Sequence, residues 1–318
     1  MANKNNMVQV LRAFAIFGVV LIHTCPLGAC QYLFRPLINT SVAMFLFLSG
    51  YLTKTENDNW GAFFKKRILR VAVPYLIWTV LYTLTEDVGR LSFNALTASA
   101  ASQLYFIFVY VQCVLLTPWF GRLARSRYQI IGWLITPVAI IVFTYLKVFH
   151  VVDYPSNVSL AWWDSCLGWV IYYYLGLVLG NRIKVKSFSL RKLSLAWLLS
   201  LFLQVAEGYA FYRLGEVECG TFHKLSALLT NVLLLLIVYE ILRRGYDVKN
   251  GLLRQLGDYS FGIYMCHIMV MLGLMLLPFY HAIPFPVNSV LILMVSLWLC
   301  QLIHKCCGTS VSKYLGII

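Results

Sequence analysis

The chain has 318 residues, 60% apolar and 12% charged, against roughly 45–50% and about 25% in soluble domains. That excludes an ordinary soluble enzyme. Its 26 Lys and Arg outnumber 12 Asp and Glu, a formal charge of +14, but the basic residues sit in short loops between apolar runs, where they report membrane orientation instead of a nucleic-acid surface.

Met1–Gln9 is short and polar, and the run after it holds Arg12 and lacks a small-residue cleavage site, so it reads as a retained helix and not a signal peptide. Ten apolar runs follow one another: Val8–Thr24, Leu37–Leu52, Val71–Thr85, Leu104–Phe120, Ile130–Leu146, Cys166–Gly180, Leu193–Tyr212, Leu225–Leu242, Phe261–Tyr280 and Val287–Ile303. Backbone groups in lipid must pair within the segment, so runs of this length are expected to be helices. The fold class is therefore all-α, a polytopic membrane bundle of about ten helices forming a single domain over residues 1–318, with no soluble appendage expected. Sorting Lys and Arg by loop puts 21 on one side, among them Lys4, Lys65, Arg125, Lys184, Lys186 and Lys249, and 5 on the other: Arg35, Arg90, Lys147, Arg213 and Lys224. The sets alternate at every crossing, which predicts both termini in the cytoplasm. Before the third run, Glu56–Arg70 is amphipathic and is expected to lie on the inner surface.

Cys113, Cys166, Cys266 and Cys300 fall in or beside apolar runs and read as core. No Cys or His spacing suits a metal, and a Cys25–Cys30 bridge stays open.

Arg12 and His23 are eleven helical steps apart, which returns to within about 20° of the starting direction and separates them by ~16 Å along one face. Two readings stand: a cation snorkelling to the headgroups with an interfacial imidazole, or a functional pair. Arg67 and Arg70, three apart, are neighbours that suit a phosphate or simply mark the inner side. Glu207 is the acid well inside a run, either paired structurally with a Tyr or Arg213 or functional. His267, about two turns into the ninth run and on its inner side, reads as a hydrogen-bonded core residue. Gly176 and Gly180 form a G-x-x-x-G explained by close helix packing.

Several segments together carry a resemblance: Leu11-Arg12-Ala13-Phe14-Ala15-Ile16 with His23 ten residues beyond; Met44-Phe45-Leu46-Phe47-Leu48-Ser49-Gly50-Tyr51-Leu52; Arg67-Ile68-Leu69-Arg70 with Pro74-Tyr75; and Leu256-Gly257-Asp258-Tyr259-Ser260-Phe261-Gly262-Ile263-Tyr264-Met265-Cys266-His267. In this order, over nearly the whole chain, they resemble the type 3 membrane acyltransferases. Tyr105-Phe106 departs from the Trp-Phe pair that opens the fourth span in many relatives. Larger relatives add a soluble hydrolase-like domain.

The resemblance implies an inner (plasma) membrane enzyme, with no permanently bound cofactor. It takes an acyl group, usually acetyl, from cytoplasmic acyl-CoA and passes it to a hydroxyl of a cell-surface carbohydrate, lipid-linked glycan or related acceptor. Arg12 and His23 match the family's R-x10-H pair, and Arg67 and Arg70 its R-x-x-R. The chemistry of the residues fits. Arg12, Arg67 and Arg70 are expected on the phosphates of coenzyme A, His23 is expected as general base, and Glu207 is expected to orient it if it reaches the other ring nitrogen. Ser49 as a nucleophile is the covalent alternative. A proton-coupled transporter or flippase using Arg12, His23 and Glu207 as an intramembrane path is the rival from another class, and a non-catalytic scaffold a third; coenzyme A binding separates them. Trp162, Trp163 and Asp164 read either as sugar-stacking residues or as interface anchors.

Overall fold

The computed structural model describes residues 6–84, 91–183, 187–216 and 219–317; the loop cations Lys4, Arg90, Lys184 and Lys186 lie outside them. The described residues are helical, and no strand occurs among them. The main helices in chain order are α1 (Asn6–Thr24), α2 (Thr40–Tyr51), α3 (Trp60–Leu84), α4 (Tyr105–Leu115), α5 (Thr117–Arg125), α6 (Ile130–Val148), α7 (Val170–Gly180), α8 (Leu190–Arg213), α9 (Leu225–Arg243), α10 (Gly251–Asp258), α11 (Ser260–Met275) and α12 (Val287–Tyr314).

Six of these, α1, α3, α6, α8, α9 and α12, are long and apolar enough to cross a membrane. Two bent pairs, α4 with α5 and α10 with α11, raise the number to eight if each pair is one span. The other two predicted runs, Leu37–Leu52 and Cys166–Gly180, form α2 and α7, of 12 and 11 residues. At 1.5 Å per residue these are about 18 and 16 Å long, well short of the ~30 Å hydrocarbon layer. Their apolar residues are used against protein. A Cβ on Gly50 would lie 2.2 Å from the Tyr173 carbonyl oxygen, one on Gly176 2.1 Å from that of Phe47, and one on Gly180 2.1 Å from that of Tyr51. The G-x-x-x-G spacing packs α7 against α2, and Gly50 of the Ser49-Gly50 pair supplies the reciprocal contact.

The stretch expected to lie on the inner surface departs from that reading. Trp60–Arg70 belongs to α3, a single 25-residue helix continuous with the third apolar run. Its aromatic and basic residues are all helix-compatible, and no glycine or proline separates Gly61 from Pro74, so nothing ends the helix there.

The chain forms two compact units: Met1–Thr24, Asp58–Leu115 and Lys249–Ile318 in the first; Cys25–Asn57 and Leu116–Val248 in the second. In the first, α1 packs on α10, α11 and α12, and α3 packs on α4, α11 and α12. Gly257 allows the closest of these approaches, because a Cβ there would lie 2.0 Å from the Gln9 carbonyl oxygen of α1. The chain then turns by 78° from α10 into α11. In the second unit α7 packs on α2 and α6, and α8 on α9.

Candidate active site

The first unit holds Arg12, His23, Arg67 and Arg70, four of the five residues expected to bind the donor or act on it. Arg12 and His23 are both half-buried on α1, whose other residues are mostly buried. The end of α1 that carries His23 is pinned by Thr24: its hydroxyl donates to the Val20 carbonyl (3.0 Å) and meets Ser289 Oγ at 2.6 Å. The His23 ring lies 5.1 Å from the ring of His267, and its Nδ1 is 3.4 Å from Ser102 Oγ.

His267 is fully buried on α11. Its Nδ1 is 2.9 Å from the Tyr264 carbonyl and 3.1 Å from that of Ile263. Carbonyls only accept, so Nδ1 carries the proton and Nε2 the lone pair. Nε2 has no hydrogen-bond partner among the described residues. The helix around His267 is clamped by Tyr82 of α3, whose hydroxyl donates to the Met265 carbonyl (2.8 Å) and accepts from Met269 N–H (3.2 Å) and Gln103 Nε2 (3.0 Å). Tyr264 adds a bond from its hydroxyl to the Gln103 carbonyl.

Arg12 lies within electrostatic reach of Arg70, Asp258 and the Tyr110 side chain, so α1, α3, α4 and α10 converge on it. Arg67 stacks its guanidinium 5.0 Å above the Phe63 ring, and Arg254 pairs with Asp258 at 4.0 Å. The structure thus brings Arg12 and Arg70 together and places Arg67 one turn away on the same helix. Guanidiniums so grouped repel one another unless an anion lies between them, which makes the cluster a candidate phosphate site.

Glu207 stands in the second unit, on α8. The Tyr145 hydroxyl donates to its Oε1, while Ser226 donates to Oε2 through both its hydroxyl and its backbone N–H, the latter at 3.2 Å. Tyr145 oxygen in turn accepts from Leu225 N–H (3.0 Å). The carboxylate therefore sits on the first turn of α9, where orphan N–H groups and the helix dipole favour negative charge. Buried Lys224 donates to the Cys219 carbonyl at 2.6 Å, and burial pulls its pKa down to about 8. The structural pairing with a tyrosine is realised, with Tyr145 as the partner.

A family model described as an acyltransferase domain, family 3, matches residues 5–305. The chain belongs to acyltransferase family 3. No curated protein and no solved structure matches it. This acyltransferase is thus an enzyme that transfers groups other than aminoacyl groups, and the family gives no support to the transporter reading. Its helices long and apolar enough to span a bilayer mark it as a membrane protein.

The reading of His267 as a hydrogen-bonded core residue agrees with its buried position and its Nδ1 contacts, but its place beside His23 was not foreseen. Counting depth from the start of the ninth run put it in the inner half and His23 near the outer surface, yet the two rings are in contact. The count takes the start of the run as a membrane face, and the 78° turn before α11 removes that reference. One signal was available: His267 closes the same motif, Leu256–His267, whose Gly257 packs on α1. Ser102 and Tyr82 carried no signal. In the second unit Trp162 stacks on Phe143 (5.0 Å) and on buried His223 (4.6 Å), with Trp163 5.1 Å from the same imidazole. That aromatic box holds His223 neutral, its pKa pulled down to about 3 by burial. Beside it, burial raises Asp164 to about 6. The second unit also encloses a cavity of about 790 Å³ lined by Tyr51, Lys54, Arg125, Arg182, Tyr239 and Arg243. It lies at the C-terminal ends of α2, α5, α7 and α9, whose carbonyl dipoles these cations offset.

Proposed function

We propose that this acyltransferase takes an acyl group, acetyl in the first instance, from cytoplasmic acyl-CoA and esterifies a hydroxyl of a cell-surface carbohydrate or lipid-linked glycan. In this reading the chain sits in the inner membrane as one catalytic domain with both termini cytoplasmic, its ten apolar runs embedded there and α2 and α7 packed within the protein instead of spanning alone. Arg12, Arg67 and Arg70 hold the donor phosphates. His23 is the general base: it removes the proton of the acceptor hydroxyl as the oxygen attacks the thioester carbonyl. Collapse of the tetrahedral adduct breaks the carbon–sulfur bond, and coenzyme A leaves as the thiol after the proton returns from His23. The observation that carries the reading is the His23–His267 contact, in which a neutral imidazole with an unshared Nε2 lone pair adjoins the base. That lone pair favours the imidazolium formed on His23 and disfavours its displacement by water. Glu207 is a positioning residue that fixes the start of α9.

The test is direct transfer. Purified protein in a neutral-lipid nanodisc receives acetyl-CoA labelled in the acetyl group and a glycan acceptor. Label should appear in the glycan as an alkali-labile ester, with one free thiol released per ester. Thiol release without label in any glycan would remove the proposed acceptor class, and no coenzyme A binding would remove the donor.

A further inference from the structure

Two cysteine pairs approach each other in this chain, and they differ. Cys266 and Cys300 are buried side chains of α11 and α12 with sulfurs 3.9 Å apart, an ordinary non-bonded contact. Cys25 and Cys30 are half-buried thiols in the second unit, and their sulfurs are only 3.1 Å apart. The intervening loop is shaped for that approach. Gly28 adopts φ +79°, which a glycine reaches without strain and which folds the loop back into the short helix Ala29–Leu33 that carries Cys30. The Gln31 side-chain amide donates to the carbonyls of Cys25 (3.2 Å) and Pro26 (3.1 Å), and Arg35 donates to the Gln31 oxygen (2.8 Å), so both ends of the loop are fixed by neighbours other than the sulfurs. Adding Gly220, whose Cβ would lie 2.3 Å from the Gln31 carbonyl, the helix is held against the body of its unit. A pair already in register forms a disulfide with little backbone movement, since bridging demands close sulfurs and a compatible loop above all.

We propose that Cys25 and Cys30 are joined by a disulfide in the mature protein. The inference rests on the outward orientation proposed for this loop, because disulfides persist in the periplasm or at a cell surface and not in the cytosol. The oxidant is a protein dithiol–disulfide donor. One thiolate of the pair attacks a sulfur of the donor disulfide, forming a mixed disulfide and releasing one donor thiolate. The second thiolate then attacks the chain's own sulfur and releases the other. The pair loses two electrons and two protons, and the donor ends as its dithiol. Cys266 and Cys300, packed between helices without access for a protein oxidant, stay reduced. The consequence is a covalent clasp that begins two residues after His23 in the chain.

Cells are treated with a permeable alkylating reagent before lysis, and the protein is purified without reductant and cut with trypsin. Because Pro36 blocks cleavage after Arg35, Ala13–Lys54 is one tryptic peptide, and it contains both cysteines and no others. The expected result is a peptide lighter by two hydrogens than the free-thiol form and carrying no alkyl group, which takes up two groups only after reduction. Ala13–Lys54 recovered with two alkyl groups before reduction would overturn the proposal. Intact cells treated with an impermeant phosphine and then an impermeant maleimide separate the two ways it can fail. Labelling without the phosphine means the loop faces outward but is not bridged. Absence of labelling with the phosphine means the orientation itself is wrong, and with it the bridge.

Discussion

Replacing Gly257 with alanine tests the packing that assembles the Arg12 cluster. The added Cβ would lie 2.0 Å from the Gln9 carbonyl oxygen and 2.6 Å from its carbonyl carbon, both backbone atoms of α1 that no rotamer change can move. Ordinary contact needs about 3.4 Å or more between such atoms, so α10 must retreat by roughly 1.4 Å. Overpacking of this kind costs about 1–3 kcal/mol. Retreat also carries Asp258 away from Arg12, whose charge it helps to balance. Gly273 is the matched control: it lies on the exposed side of α11 with nothing within 4 Å of an added Cβ. Alanine there gains helix propensity of about 1 kcal/mol. The two substitutions are chemically identical and share the helix-propensity gain, so they should differ by the overpacking alone, roughly 1–3 kcal/mol in detergent unfolding. Gly257→Ala should also weaken coenzyme A binding, whereas Gly273→Ala should not. Equal stability of the two variants would refute the tight α1–α10 contact and the reasoning built on it.

Arg67→Lys and Arg70→Lys keep the charge but lose the planar bidentate fork, so coenzyme A affinity should fall by roughly ten- to a hundredfold, the effect of losing one charge-assisted bond of ~1.5–3 kcal/mol; unchanged binding in both would leave the arginines as orientation signals. Glu207→Gln leaves one acceptor oxygen where two served three donors, so its NH2 faces either the Tyr145 hydroxyl or the Ser226 donors, and it removes the charge near Lys224. It should lower unfolding stability by about 1.5–3 kcal/mol while turnover per folded molecule falls less than in a His23 variant, and wild-type stability would sink the positioning role. Single cysteines at Arg35 and Lys147 in a background without native cysteines should label in intact cells with an impermeant maleimide, and those at Lys65, Arg125 and Lys249 should not. Labelling at 125 or 249 would overturn the proposed orientation.

The membrane class was legible because it depends on composition summed over long runs, and each of the ten runs does carry a helix. Which runs cross a bilayer was less legible. Leu37–Leu52 and Cys166–Gly180 are apolar because α2 and α7 are buried in protein, and an apolar side chain reads the same whether lipid or another helix covers it. Glycine spacing carried the distinguishing information at Gly50, Gly176 and Gly180. Within the site, the Arg12–His23 register came directly from helical periodicity and the Arg67–Arg70 pair from i,i+3 spacing. The His23–His267 contact did not, because it depends on the sharp turn at Tyr259, which the periodicity of the apolar run does not show; only Gly257, two residues earlier, hinted at the close approach to α1. Glu207 showed as an oddity in an apolar run, but its partners Tyr145 and Ser226 come from separate helices that no spacing rule connects.

The claim that His23 is the general base is tested most directly by single-turnover transfer in the purified His23→Ala protein, with donor binding measured on the same sample. The account predicts a transfer rate lower by about 10²–10⁴-fold, the range attributed to proton transfer by a positioned base. It also predicts coenzyme A affinity equal to that of the unaltered enzyme, because Arg12, Arg67 and Arg70 are untouched. A wild-type rate in His23→Ala, at full donor occupancy, would contradict it.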